Sequence, residues 1–320
     1  MSKKTPDQQD ITILIPAYNE EAVLDSLYSR LSLLSDKLPK YNLEFLFVND
    51  GSKDQTLSIL KSLAATDKRV SIISLSRNYG KEIGMAAGFD FAKTAATIII
   101  DADLQDPPEL IPEMISYWEQ GYDDVYAKRR SRAGESWVKK KTSQWFYAIL
   151  QKSTRITIQR DTGDFRLLDR RVILALCECK ESQRYTKGLF SWVGFKKKEI
   201  LYDRDPRAAG TTKWNYSRLF DLAIEGITSF TTLPLRIASI FGILVSFCAF
   251  IYIAVIIIKT TLMDNPVAGY PSLMSVVLFI GGIQLLCIGI IGEYIGRIFN
   301  ETKNRPLYFV DEVHRNAKNK

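Results

Sequence analysis

Histidine is almost missing from this chain: a single residue, His314, among 320. A Ser-His-Asp hydrolase needs an imidazole beside its nucleophile, and His314 lies in a polar C-terminal stretch, so that chemistry is disfavoured. Cysteine is scarce as well. The four present (Cys177, Cys179, Cys248, Cys287) make no paired framework, and Cys177-Glu178-Cys179 lacks the two-residue gap of a redox or zinc motif. A reducing compartment is expected for the polar part of the chain. Two phosphate-binding signatures are missing too. The first strand candidate is not followed by G-x-G-x-x-G, and Gly80-Lys81 precedes Glu82 with no glycine five residues earlier, so neither a dinucleotide fingerprint nor a P-loop is present. The opening MSKKTPDQQD holds no apolar signal core, and nothing in it directs secretion.

The formal charge is +7, from 43 basic and 36 acidic residues. No nucleic-acid-binding motif accompanies that excess, so nucleic acid is not expected as a partner, and anionic lipid headgroups explain the charge as well. What the chain does have is an uneven spread of apolar residues. Up to about residue 233 it is mixed and punctuated, and from there to about residue 298 it is strongly apolar. The run Leu235–Ile258 carries only Arg236 at its edge and is long enough to cross a bilayer. A second run, Leu273–Ile295, contains Gln284 and Glu293 together with Gly281, Gly282, Gly289 and Gly292, which would let another helix approach closely. Glu293 and Arg297 are spaced for an i,i+4 ion pair. Basic residues flank the pair of spans on the outer sides while the connection 259–271 is nearly neutral, which predicts both termini in the cytoplasm.

Before the spans, strand and helix alternate. Continuous apolar stretches at Ile11–Pro16, Leu43–Val48, Ile72–Leu75 and Thr97–Ile100 read as buried strands; helical patterns follow at Asn19–Leu38, from Asp54, at Lys81–Lys93 and at Pro108–Glu119. The order βαβα predicts an α/β fold with a mostly parallel sheet covered on both faces and ligands at the carboxyl ends of its strands. The expected domains are a catalytic domain over 1–212, juxtamembrane amphipathic helices over 213–233, a two-helix membrane domain over 234–298 and a cytoplasmic tail over 299–320.

The polar clusters fall at those strand ends. Asp101-Ala102-Asp103-Leu104-Gln105-Asp106 follows the fourth strand, and two carboxylates one residue apart suit a hard divalent cation, Mg²⁺ or Mn²⁺, that would also neutralise a departing diphosphate. Asn49-Asp50-Gly51-Ser52 ends the second strand, with a carboxylate able to accept from a base or ribose. Pro16-Ala17-Tyr18-Asn19-Glu20 ends the first. Each alone could be a turn; three together point to a nucleotide site.

ITILIPAYNEE, FVNDGSKDQT, SRNYGKEIGMAAGF, DADLQDPPE and DTGDFRLLDR, in that order, resemble the family 2 glycosyltransferases of the GT-A fold. With AAGTTKWNYSRL, the paired spans and IGEYIGRIFNETKNRPLY, the resemblance narrows to the polyisoprenyl-phosphate glycosyltransferases, the dolichyl-phosphate mannose synthase-like and GtrB-like enzymes. The Gln-x-x-Arg-Trp motif of processive synthases is not supplied by Gln183-Arg184-Tyr185, so single transfer is implied. The resemblance implies that Asp50 contacts the nucleoside, that Asp101 lies beside the sugar-nucleotide, that Asp103 and Gln105 hold the metal, and that Pro16, Tyr18 and Glu20 line the nucleotide pocket. The family's Ser-Gly-Phe-Arg stands here as Gly163-Asp164-Phe165-Arg166, so either Asp161 or Asp164 takes the remaining acid's role. Because guanidinium groups grip phosphate through two donors, Arg129, Arg130, Arg132 and Arg166 are candidates for the acceptor phosphate; Arg207 and Lys213 are candidates for the donor. A solvated basic loop is an equal reading of Lys128–Arg132. The implied partners are a nucleotide-sugar, a UDP-sugar ahead of a GDP-sugar with UDP-glucose first, and a polyisoprenyl phosphate in a bacterial plasma membrane. A homo-oligomer is also implied, with a tetramer as the size considered. The competing expectation is a non-catalytic membrane scaffold or nucleotide-sugar-binding subunit that keeps the fold.

Overall fold

The computed structural model describes residues 9–130, 162–182, 184–203, 233–263 and 269–315. The expected amphipathic helices of 213–232 lie outside them, as do the candidates Arg132, Asp161, Arg207 and Lys213. The described residues fall into two compact units, one built on a sheet and rejoined by the chain from Pro306 on, the other on two long helices.

The sheet unit begins with β1 (Gln9–Ala17), α1 (Leu24–Asp36), β2 (Tyr41–Asn49), α2 (Thr56–Thr66), β3 (Val70–Leu75), α3 (Lys81–Phe91) and β4 (Ala96–Ile99). A 3₁₀ turn (Pro108–Leu110), α4 (Ile111–Glu119) and β5 (Asp124–Arg129) follow. Then come β6 (Thr162–Asp169), α5 (Arg170–Glu178), α6 (Thr186–Trp192) and β7 (Lys197–Tyr202). With β8 (Val310–His314), the eight-stranded order is β7-β5-β6-β4-β1-β2-β3-β8. Strands β3, β2, β1 and β4 are mutually parallel, as are β5 and β7, while β6 runs antiparallel to both β4 and β5. The mostly parallel α/β sheet is therefore as expected, with β6 and β8 reversed.

Local chemistry accounts for these elements. The inner strands read as unbroken apolar runs because both faces are covered: Ile11, Ile13, Leu14 and Ile15 of β1 are fully buried. Helix α1 buries Leu24, Leu27, Leu31 and Leu34, one stripe at helical spacing. It starts at Leu24 rather than near Asn19. Asn19 adopts a left-handed φ of 55° and spends its groups on the loop after β2, its amide donating to Ser52 Oγ at 3.0 Å and its Oδ1 accepting from Lys53 N at 2.8 Å. Helix α3 runs so close to β1 that a Cβ on Gly88 would come within 2.2 Å of Leu14 Cδ1. The C-terminal end of α5 is closed by Arg184, whose guanidinium donates to the carbonyls of Cys179 and Leu176.

The segment expected as a tail contributes structure. Strand β8 (Val310–His314) pairs antiparallel with β3, and Tyr308 OH donates to Asp90 Oδ2 at 2.7 Å. In the other unit, α7 (Leu233–Met263) and α8 (Tyr270–Thr302) pair with each other. They contain stretches of mean hydropathy 2.5 and 2.4 with no share buried, long and apolar enough to cross a membrane. The anticipated pair forms within α8, Arg297 Nε donating to Glu293 Oε1 at 3.1 Å.

Replacing Tyr308 by Phe removes one hydrogen bond, worth about 1 kcal/mol. Hydrogen exchange read by mass spectrometry should then quicken in peptides covering 310–314 and stay unchanged in β1; equal rates in both proteins would show that the Asp90 contact does not hold the strand.

Candidate active site

The direction of β6 determines which of its residues reach the ligand edge. Since β6 is antiparallel to β4, its beginning lies beside the carboxyl ends of the other strands. The β4–β6 register pairs Ala96 with Asp169 and Ile99 with Arg166. Continued two residues on, it sets Asp101 opposite Asp164. Between their carboxylates stands Lys81, the first residue of α3: its Nζ lies 2.6 and 2.7 Å from the two oxygens of Asp101 and 2.5 Å from Asp164 Oδ2. Lys81 had no place among the residues expected from sequence. In the sequence it stands within SRNYGKEIGMAAGF, just after Asn78-Tyr79-Gly80 beyond the third strand.

Lys81 and Asp164 set each other's ionisation. Burial alone would push the Asp164 carboxyl up, but the adjacent Lys81 ammonium, with Lys187 and Arg166 behind it, holds it well below the usual carboxylate range. Burial would push Lys81 down; Asp101 and Asp164 outweigh that and hold it charged. Neighbouring Glu82 is pushed up, first by burial and then by the Asp164 charge, and accepts a hydrogen bond from Thr186 N at 3.1 Å. Asp164 Oδ1 is buried without a hydrogen-bond partner among the described residues.

Asp50 is nearly buried at the end of β2, and its carboxylate receives the backbone N–H groups of Tyr79 (2.7 Å) and Gly80 (2.8 Å). Burial pushes its pKa up more strongly than those two donors lower it. It thus fixes the turn that delivers Lys81, a role that sequence reading did not assign to it. Gly51 beside it has φ +62°, and a Cβ there would meet the Arg77 carbonyl carbon at 2.4 Å. At the end of β1, Pro16 precedes an exposed Tyr18, and Glu20 donates its backbone N–H to Thr56 Oγ1 at 2.8 Å. The loops after β1 and β2 are thereby laced together.

In the loop after β4, Leu104 takes φ 60° and Asp103 Oδ1 accepts from Gln105 N at 3.2 Å. Buried Asp106 anchors the loop by accepting from Tyr202 OH at 2.7 Å. Asp103 and Gln105 offer hard oxygen donors of the kind Mg²⁺ or Mn²⁺ takes. Among the described residues no three His, Cys, Asp or Glu side chains form a ready cage. A metal of this type fits such a site, because it ordinarily takes one or two carboxylates and completes its shell with phosphate oxygens and water.

The arginines divide. Arg129, at the end of β5, has its Nε buried without a partner among the described residues, and Arg130 is exposed with Asp203 at 3.6 Å. Arg166 lies elsewhere than at a phosphate-accessible surface: fully buried, it pairs with Asp124 at 3.1 Å and its guanidinium stacks 3.8 Å from the Phe190 ring centroid. The expectation that it grips the acceptor phosphate does not fit this placement; its charge is used to hold Asp124 inside the sheet.

Carboxylates gathered at the carboxyl ends of the strands mark the edge where open α/β sheets bind ligands. Residues 12–176 match the glycosyl transferase family 2 model, and residues 233–298 match that of the GtrB C-terminal hairpin. The chain is 48% identical over 304 residues, 95% of each protein, to the uncharacterized glycosyltransferase sll0501 of Synechocystis. It is 44% identical over 305 residues to the SfII prophage-derived bactoprenol glucosyl transferase of Shigella flexneri, covering 95% of this chain and 98% of that protein. Among solved structures, glucosyl-3-phosphoglycerate synthase from Mycobacterium tuberculosis with Mn²⁺, UDP and phosphoglyceric acid is similar at TM-score 0.47 and 16% identity, over 69% of this chain and 76% of that one. The chain belongs to glycosyl transferase family 2. Within it, the hairpin makes it a GtrB-like member.

Two outcomes follow from the geometry. Gly51→Ala should lower stability by about 2 kcal/mol or more, from left-handed strain plus a backbone clash; an unchanged melting temperature would contradict the turn described. Because the folded-state pKa of Asp164 is depressed, its stabilisation is present above the ordinary carboxylate value of about 3.9 and is lost as pH falls toward the folded-state value. In acid titrations of melting temperature, Asp164→Asn should therefore lose less than wild type between neutral pH and pH 3; parallel curves would contradict the Lys81 pairing.

Proposed function

We propose that this chain transfers one sugar from a nucleotide-sugar, UDP-glucose first among donors, to a polyisoprenyl phosphate of the undecaprenyl type, with inversion at the anomeric carbon. The observation that carries the reading is joint: a strand-end carboxylate site and a GtrB-type apolar hairpin occur in one chain, and a relative named bactoprenol glucosyl transferase matches it along 95% of its length.

In the reaction, an oxygen of the lipid phosphate forms a bond to the sugar's C1 while the bond from C1 to the diphosphate oxygen breaks, releasing the nucleoside diphosphate. A phosphate monoester is already ionised at neutral pH, so no strong general base is needed, and placement and charge carry the rate. Asp103 and Gln105 would hold Mg²⁺ or Mn²⁺, which when bound neutralises charge on the leaving diphosphate. Pro16, Tyr18, Glu20 and Asp50 form the nucleotide end, and Arg207 and Lys213 bind the donor. Arg129 and Arg130, with Arg132, receive the acceptor phosphate, and Asp164 serves beside Asp101, a role that the β4–β6 register supports.

The hairpin helices cross the cytoplasmic membrane, and the catalytic unit lies on the cytoplasmic side. Support comes from connectivity: residues before the hairpin (β3) and after it (β8) share one sheet, so the chain crosses an even number of times. On α8, a Cβ added to Gly281, Gly282, Gly289 or Gly292 meets nothing within 4 Å among the described residues. Those open positions suit a second copy of the hairpin, giving a homo-oligomer.

Radiolabelled sugar should pass from the donor into solvent-extractable lipid when undecaprenyl phosphate and Mg²⁺ or Mn²⁺ are supplied. Asp103→Ala, or chelator, should lower the rate by about 100-fold or more. An Asp103→Ala protein with full activity in cells would favour the scaffold reading, and no transfer from any common donor would sink this one.

A further inference from the structure

We propose that Lys81 is a positioning residue of this transfer, its ammonium setting the separation between the donor-side carboxylate of Asp101 and the facing carboxylate of Asp164. The inference rests on the glycosyl-transfer reading above and adds to it a residue and a mechanical link.

The link starts at the nucleotide end. Asp50 holds the N–H groups of Tyr79 and Gly80, and Gly80 turns the chain with φ +94°, a conformation that ordinary side chains rarely adopt. The next residue is Lys81, whose stem leaves the first turn of α3 and ends between two strand termini. One carboxylate therefore anchors the turn, and the turn's ammonium places two more. Without that cation, Asp101 and Asp164 would repel each other across the register that sets them opposite.

An ion pair made only for stability would look different. A buried carboxylate used for structure has both oxygens satisfied, as Asp124 does with Arg166. Asp164 is 6% exposed, and its Oδ1 has no hydrogen-bond partner among the described residues. Its other oxygen is on Lys81, whose side chain keeps 41% of its surface open at the sheet edge where ligands bind in open α/β folds. Held ionised, Asp164 can only accept, so the remaining oxygen suits a sugar hydroxyl and repels a phosphate oxygen. Lys81 thereby makes the strip between Asp101 and Asp164 a place for the sugar, with diphosphate and lipid phosphate excluded to either side.

The test uses the full chain in detergent, with UDP-glucose as donor probe, undecaprenyl phosphate as acceptor and UDP as binding probe. Lys81→Met should bind UDP within about threefold of wild type, an interaction energy close to unchanged. Its kcat should fall by at least about 100-fold, the scale of a small misplacement of reacting groups. Lys81→Arg, which restores the charge with a different reach, should recover about tenfold of that loss. A Lys81→Met enzyme with kcat within threefold of wild type overturns the proposal, as does parallel loss of UDP binding and activity in both variants. A substrate-free arm reads the bridge by itself: Asp164→Asn added to Lys81→Met should restore part of the lost melting temperature, and purely additive losses overturn the proposal. Wild-type turnover reports separately on the transfer reaction, so a chain silent toward the donor sinks that reading while the UDP and melting arms still decide the role of Lys81.

Discussion

One ammonium between two carboxylates organises this site. Asp101 leaves the sheet at the end of β4, and Asp164 enters it at the start of β6. The antiparallel register of those strands would bring like charges together if Lys81 did not stand between them. Everything around the trio is arranged to keep that cation in place. Asp50 holds the turn ahead of it, Gly51 lets the neighbouring loop pass close to Arg77, and Tyr202 ties down Asp106 at the far end of the acidic loop. The ligand-facing polar groups gather at one edge of the sheet, while the strands below are packed mainly with Ile, Leu and Phe and keep a few paired polar groups such as Arg166 with Asp124.

Much of the fold was legible in the letters. Unbroken apolar runs gave the parallel strands, the i, i+3, i+7 stripe of Leu24, Leu27 and Leu31 gave α1, and the two long apolar runs gave the hairpin helices, because burial imposes those periods directly. What was not legible depended on pairing across the chain. No local pattern says that β6 runs backwards, yet that reversal is what carries Asp164 to the site. Nor does VDEVH announce a strand: with its exposed, charged composition, β8 forms only because β3 offers an edge for it to complete.

The site followed the same division. Asp101, Asp103 and Asp50 were readable because a carboxylate after an apolar strand is conspicuous. Lys81 was passed over, since a lysine opening a helix is ordinary and its meaning comes from two partners 20 and 83 residues away. Arg166 misled in the opposite way. Its guanidinium suggested phosphate, but the side chain is fully buried, paired with Asp124 and stacked on Phe190. The sheet topology explains why Asp101, Lys81 and Asp164 meet at the carboxyl edge of the sheet.

The most direct test of this account is a structure of the full chain with a nucleotide-sugar and Mn²⁺ bound. The sugar ring should lie along the strip bounded by Asp101, Lys81 and Asp164, with Mn²⁺ on the Asp103–Gln105 loop beside the diphosphate. A donor bound at another edge of the sheet, with Lys81 still locked between its two carboxylates and the acidic loop away from the diphosphate, would contradict it.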